Sequence, residues 1–167
     1  MKSIFLCLLL SGVLGSALAQ DFSALQSITF QTKEDYGTQE TTVLECANFL
    51  LASKFDQLEN DVNCNYALQF VMKWMEGTPD YTFSIDEQIM KAIKSNSYLL
   101  GIYLSAMTKY VLENKANAAN EKEVQYNSFV LFLDYCENTA NQVKTNKEIK
   151  NLSKAKNEGR LKEYLAN

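Results

Sequence analysis

From Tyr98 to Leu112 the chain reads YLLGIYLSAMTKYVL, apolar on nearly every side of a helix. A helix without a polar face cannot lie on a surface, so other helices have to enclose it. Tyr126 to Cys136 repeats the pattern, with Phe129-Val130-Leu131-Phe132-Leu133 unbroken. That pentapeptide alone would also suit a buried strand. The longer surrounding pattern and the lack of turn residues favour a helix. Gly101, inside the first segment, costs about 1 kcal/mol in helix propensity and is expected to admit a close neighbour. With one proline in 167 residues and no strand pairing in the pattern, the expected fold is all-α. It is a single domain of about six helices, either an antiparallel bundle or stacked helix pairs. The tetratricopeptide repeat pattern fails, with Ser97 at its tryptophan position and Glu113 at its alanine position.

The remaining helices are one-sided. Val43, Leu44, Ala47, Leu50 and Leu51 predict a helix from about Thr41 to Lys54. Asp61 can cap a second, whose apolar face is Tyr66, Ala67, Phe70, Val71 and Trp74. Then comes WMEGTPDYTF, residues 74–83, with the only tryptophan and the only proline. Gly77 suits a left-handed helix terminus, and Pro79 bars continuation. Ser84 to Glu87 matches a capping box opening a short helix to about Lys94. Asn117 to Asn120 is a polar joint. The last helix spans about Asn146 to Leu165, with a break at Gly159.

Residues 1–19 read as a cleaved signal peptide: Lys2, an apolar run from Ile4 to Leu10, and Ala17-Leu18-Ala19 as the cleavage pattern. Residues 20–40 read as an extended leader, and residues 41–167 as the helical domain. The product is expected to be exported, to the periplasm or outside the cell, without a membrane span. From Gln20 to Val143 there are eight basic and 17 acidic residues; from Lys144 to Glu163 there are seven and three. An acidic body argues against nucleic acid as a partner. The basic tail reads as a solvated amphipathic helix, with a docking surface as the alternative.

Cys46, Cys64 and Cys136 survive cleavage. Were the turn between their helices centred near Phe55, Cys46 and Cys64 would sit level and could bridge. The alternative is three reduced core thiols. The chain has no histidine and no CxxC, which excludes ordinary zinc sites and thioredoxin-type redox, and no cofactor is expected. Asp61-x-Asn63-x-Asn65 opens like a calcium loop, but Tyr66 and Met72 stand where glycine and glutamate belong. Glu76 and Asp80 flank the turn near Trp74 as an acid pair that a hydrolase could use. Tyr98, Tyr103, Tyr110, Tyr126 and Tyr135 either specify the core or line a pocket for an apolar ligand. Asn151-Leu152-Ser153 fits the glycosylation pattern, which matters only in a eukaryotic secretory route.

Over ALQFVMKWMEGTPDYTF (residues 67–83), with Cys46-Ala47-Asn48-Phe49-Leu50 and the tyrosine-rich helix, the chain resembles uncharacterised exported proteins of Bacteroidota. These are lysine- and asparagine-rich, with a helical domain behind a signal peptide. The resemblance implies that fold and brings no activity, ligand or catalytic residue. A fainter likeness, carried by Cys46 and Cys64, is to small periplasmic helical proteins such as acid-stress chaperones and toxin-neutralising immunity proteins.

The expected role is a non-enzymatic exported domain that binds a protein partner or serves structurally. Trp74, Met75, Pro79, Tyr81 and Phe83 form the candidate contact patch, because exposed aromatics on a rigid turn make good anchors; of these, Trp74 and Phe83 are expected to pin the turn onto the core, which leaves Tyr81 as the better contact. The competing readings are an apolar-ligand carrier with a cavity between the tyrosine-rich helices and, more weakly, a hydrolase using Glu76 and Asp80.

Overall fold

A computed structural model describes residues 21–94 and 96–166; the expected signal peptide, residues 1–19, lies outside the described residues. Nine α-helices follow one another among them. The first five are α1 (Lys33–Thr38), α2 (Glu40–Ala52), α3 (Gln57–Asn60), α4 (Val62–Gly77) and α5 (Glu87–Ile93). Then come α6 (Tyr98–Glu113), α7 (Glu121–Glu137), α8 (Lys147–Asn157) and α9 (Leu161–Leu165). Three short 3-10 turns, Ser23–Ser27, Lys115–Asn117 and Thr139–Asn141, complete the helical elements. The described residues contain no strand.

The all-round apolar α6 is the hub, packed against α2, α4, α5 and α7. Twelve of its 16 residues are buried, including Leu99, Ile102, Tyr103, Met107 and Val111. Gly101 is where α4 comes closest: a methyl added there would lie 3.0 Å from a Leu68 methyl. The α6–α7 seam is filled by rings. Phe129 lies 5.1 Å from Tyr103 and 6.5 Å from Phe132, and Tyr103 lies 6.0 Å from Phe132. The Tyr103 hydroxyl in this seam, and that of Thr108 elsewhere on α6, are buried without a hydrogen-bond partner.

Local signals set several boundaries as expected. Asp61 caps α4, accepting from Asn63 N at 2.8 Å. The tail breaks at Gly159, whose φ of 71° needs glycine. Gly159 N donates to Lys156 O and Arg160 N to Ala155 O, the paired bonds that close a helix on a left-handed residue. Elsewhere the structure corrects the expectation. Residues 21–40 are not an extended leader but hold the first 3-10 turn and α1. The reason is a capping box read as loop polarity: Asp35 N donates to Thr32 Oγ1, and the Asp35 carboxylate accepts from Thr32 N at 2.7 Å and Gln31 N at 2.8 Å. This segment is also pinned to α4, with Phe22 N donating to Asn63 Oδ1. The α5 cap is Asp86 rather than Ser84, because its carboxylate accepts from both Ile89 N and the Gln125 side chain.

Those two backbone N–H groups, first Gln31 and then Thr32, hold the Asp35 carboxyl below its ordinary value of 3.8. The stabilisation is therefore complete above the unfolded value and lost as pH falls through the folded one. Thermal melts between pH 5 and pH 3 should show a steeper loss of Tm in the wild type than in Asp35→Asn, whose amide cannot titrate. Parallel slopes would contradict this.

Candidate functional site

The candidate contact patch turns inward, at Trp74 and Phe83 as expected and at Tyr81 as well. Trp74 is 0% exposed, and its indole N–H donates to Tyr36 O at 3.1 Å. Tyr81 and Phe83 lie over it with ring centroids at 5.4 and 5.9 Å. The Tyr81 hydroxyl donates to Glu40 Oε1 at 2.9 Å. Met75, Tyr81 and Phe83 are half-buried against the core, and of the five residues only Pro79 is exposed. The aromatics thus clasp the 78–86 segment onto α4 instead of offering it to a partner. Gly77 also has another reason than the one expected. It lacks a positive φ. It is small because the Tyr36 ring occupies the space: an added Cβ would overlap the Tyr36 hydroxyl and lie 2.7 Å from its Cζ.

The acid pair is not assembled into a site either. Glu76 and Asp80 are both exposed, and Asp80 is paired with Lys33 at 2.6 Å. Among the described residues no cluster of three or more His, Cys, Asp or Glu could hold a metal ion. No helix among them is long and apolar enough to cross a membrane.

Of the two readings of the cysteines, the Cys46–Cys64 bridge is absent and the reduced core thiols are found: Cys46, Cys64 and Cys136 are free and buried. Cys64 Sγ lies 3.6 Å from Ser53 Oγ, which places Cys64 level with the end of α2. Cys46 is seven residues earlier, about 10 Å along the helix axis. That is beyond the 4.4–6.8 Å or so between Cα atoms that a disulfide spans. The insertion of α3 shifts the connection past Phe55 and spoils the register. Burial pushes the Cys46 and Cys136 thiols up to about 12, with Glu45 and Glu137 adding to it, and burial raises Cys64 too. At pH 8 the thiolate fraction of Cys46 and Cys136 falls roughly thousandfold below that of an ordinary cysteine. A disulfide-exchange reagent should therefore find the native thiols unreactive and count three in denaturant over residues 20–167. One free thiol would restore the bridge.

Of several depressions, the one of interest lies where α7 hands over to α8. Asn138 caps the turn by accepting from Ala140 N, and buried Asn141 donates from its amide to Tyr135 O at 2.9 Å. Gln142 then takes φ 53°, ψ 33°, left-handed backbone that costs a residue with a Cβ about 1–2 kcal/mol. Asn146 receives the chain, accepting from Ile149 N at the start of α8 and donating to Ala92 O of α5 at 2.8 Å. Lys156 ties the two helices together at 2.6 Å from both Asp134 and Glu137. Burial pulls the Lys156 ammonium down, but the two carboxylates more than offset it and leave it raised. Between these braces lies an open groove of about 640 Å³. Cys136 and Val143 are its apolar lining, and its polar walls hold Thr139, Gln142 and Asn157 together with two lysines, Lys150 and Lys154, and two glutamates, Glu137 and Glu158. A second depression, of about 440 Å³, shares Gln142 and Thr145 and runs to Phe55 and Leu99.

From the sequence, only the basic tail that carries Lys150 and Lys154 has a docking surface as an alternative reading; the other lining residues are in no candidate site. The signals present were the Asn138–Gln142 run of turn formers and the excess of lysine from residue 144 onward. No protein-family model, curated protein or solved structure matches the chain.

Proposed function

We propose that this chain is an exported, non-enzymatic helical binding module that engages a protein partner through the α7–α8 groove. The observation that carries the reading is the groove itself, held open by side-chain braces and lined with amides, hydroxyls, the ammonium groups of Lys150 and Lys154 and the carboxylates of Glu137 and Glu158. Such a lining hydrogen-bonds a polypeptide without doing chemistry on it. The candidate nucleophiles support the same reading, since burial holds all three thiols protonated. The strained Gln142 points the same way, because a non-glycine residue kept in left-handed backbone beside a cavity indicates a side chain with work to do. The carrier reading has less support, because the rings of Tyr103, Phe129 and Phe132 are in contact where its cavity would lie.

A photo-crosslinking residue placed at Thr139, in cells making the full chain, tests the site. Crosslinks to one protein from Thr139, and none from the same residue at Pro79, are expected. Equal labelling from both positions, or labelling from Pro79 alone, would overturn it. For export, the protein recovered outside the cytoplasm should have lost residues 1–19; an intact Met1 would contradict that.

A further inference from the structure

We propose that the α7–α8 groove takes an acidic polypeptide segment, its carboxylates received by Lys150 and Lys154 and its backbone by the side-chain amides of Gln142 and Asn157. This rests on the groove being the recognition surface and adds the chemistry of the occupant. Lys147, Lys150 and Lys154 recur at three- and four-residue steps and share one face of α8. Lys147 and Lys150 have no ion-pair partner among the described residues, and Lys154 reaches Glu158 only at 3.9 Å. The neighbouring bases are engaged: Lys156 with Asp134 and Glu137, Lys162 with Glu123 at 2.7 Å, Arg160 with Glu158. Of Lys147, Lys150 and Lys154, the last two stand in the groove walls beside Glu137 and Glu158, whose closer ion pairs are with Lys156 and Arg160.

Side-chain amides carry both a donor and an acceptor, which matches the alternating N–H and C=O of a peptide. Those of Gln142 and Asn157 are without an internal partner among the described residues. No aromatic ring stands among the described residues lining the groove, so a sugar or nucleobase would find no stacking face. Glu137 and Glu158 stand in the same walls and would repel a uniformly charged polyanion. A peptide with spaced acids avoids them. Gln142 supports a side-chain role, because glycine would hold its backbone conformation at less cost.

The test is selection of short displayed peptides on the full-length chain from two libraries, one containing Asp and Glu and one lacking them. Binders are expected from the first. They should weaken as salt rises and lose about tenfold or more in affinity on Lys150→Glu with Lys154→Glu. Gln142→Gly should weaken them too while its Tm stays level or rises, which separates a lost contact from a lost fold. Binders from the acid-free library that still need Gln142 would overturn the acidic preference and leave the groove standing. No groove-dependent binder from either library would remove both. Phosphatidylglycerol vesicles bound through Lys150 and Lys154, without peptide binding, would replace the peptide with a lipid surface. Self-association lost on the same double substitution would replace it with a second copy of the chain.

Discussion

Trp74→Ala should cost about 3–5 kcal/mol, the range for deleting a fully buried large aromatic. For a domain of this length that lowers Tm by about 10 °C or more. The argument is geometric. The ring is 0% exposed on the apolar face of α4, it carries Tyr81 and Phe83, and its N–H reaches Tyr36 O on α1. Removing it opens a cavity under the 78–86 segment and unties α1 at once. Trp74→Phe should cost less, about 1–2 kcal/mol, because most of the volume remains while the indole donor is lost. Tyr36 O keeps a second donor in Gln39 N, which softens that loss. Iodide should leave native Trp74 fluorescence unquenched. Strong quenching, or a Trp74→Ala variant as stable as the wild type, would return the tryptophan to the surface.

The second large effect is at Phe129, where truncation to alanine should also cost about 3–5 kcal/mol. Phe129 is 0% exposed and stands between Tyr103 and Phe132, so neither α6 nor α7 can fill the space without moving the other. Its neighbour should behave oppositely. The Tyr103 hydroxyl is buried without a partner, and burial pushes its ionisation well above the ordinary value. Tyr103→Phe removes an unsatisfied group and keeps the ring, so it should stabilise by about 1 kcal/mol. Two substitutions in contact with opposite signs separate packing from polarity in this seam. A destabilising Tyr103→Phe would mean that the hydroxyl is satisfied.

Features decided by neighbours in sequence were legible before the fold was seen. The Asp61 cap, the Gly159 stop and the enclosed α6 follow from local bonding or periodicity. Features decided by register between helices were not. Whether Cys46 meets Cys64 depends on where the α2–α4 connection is centred, and the four-residue α3 moves it. By sequence Gly77 suits a left-handed helix terminus, but its φ is not positive and its smallness serves the Tyr36 ring from 41 positions earlier. Trp74 was already on the apolar face of its helix by spacing, so helical periodicity outweighed the prior that aromatics at a turn are anchors. The groove was least legible. Its polar residues are individually unremarkable surface types, and only Asn141 under α7, Lys156 across to α7 and the left-handed Gln142 bring them to one concavity.

Hydrogen exchange on the full-length chain, with and without a selected groove-binding peptide, tests the central claim most directly. Binding at the α7–α8 groove predicts new protection at residues 136–158 and none at residues 74–83. Protection confined to residues 74–83, with residues 136–158 unchanged, would contradict it.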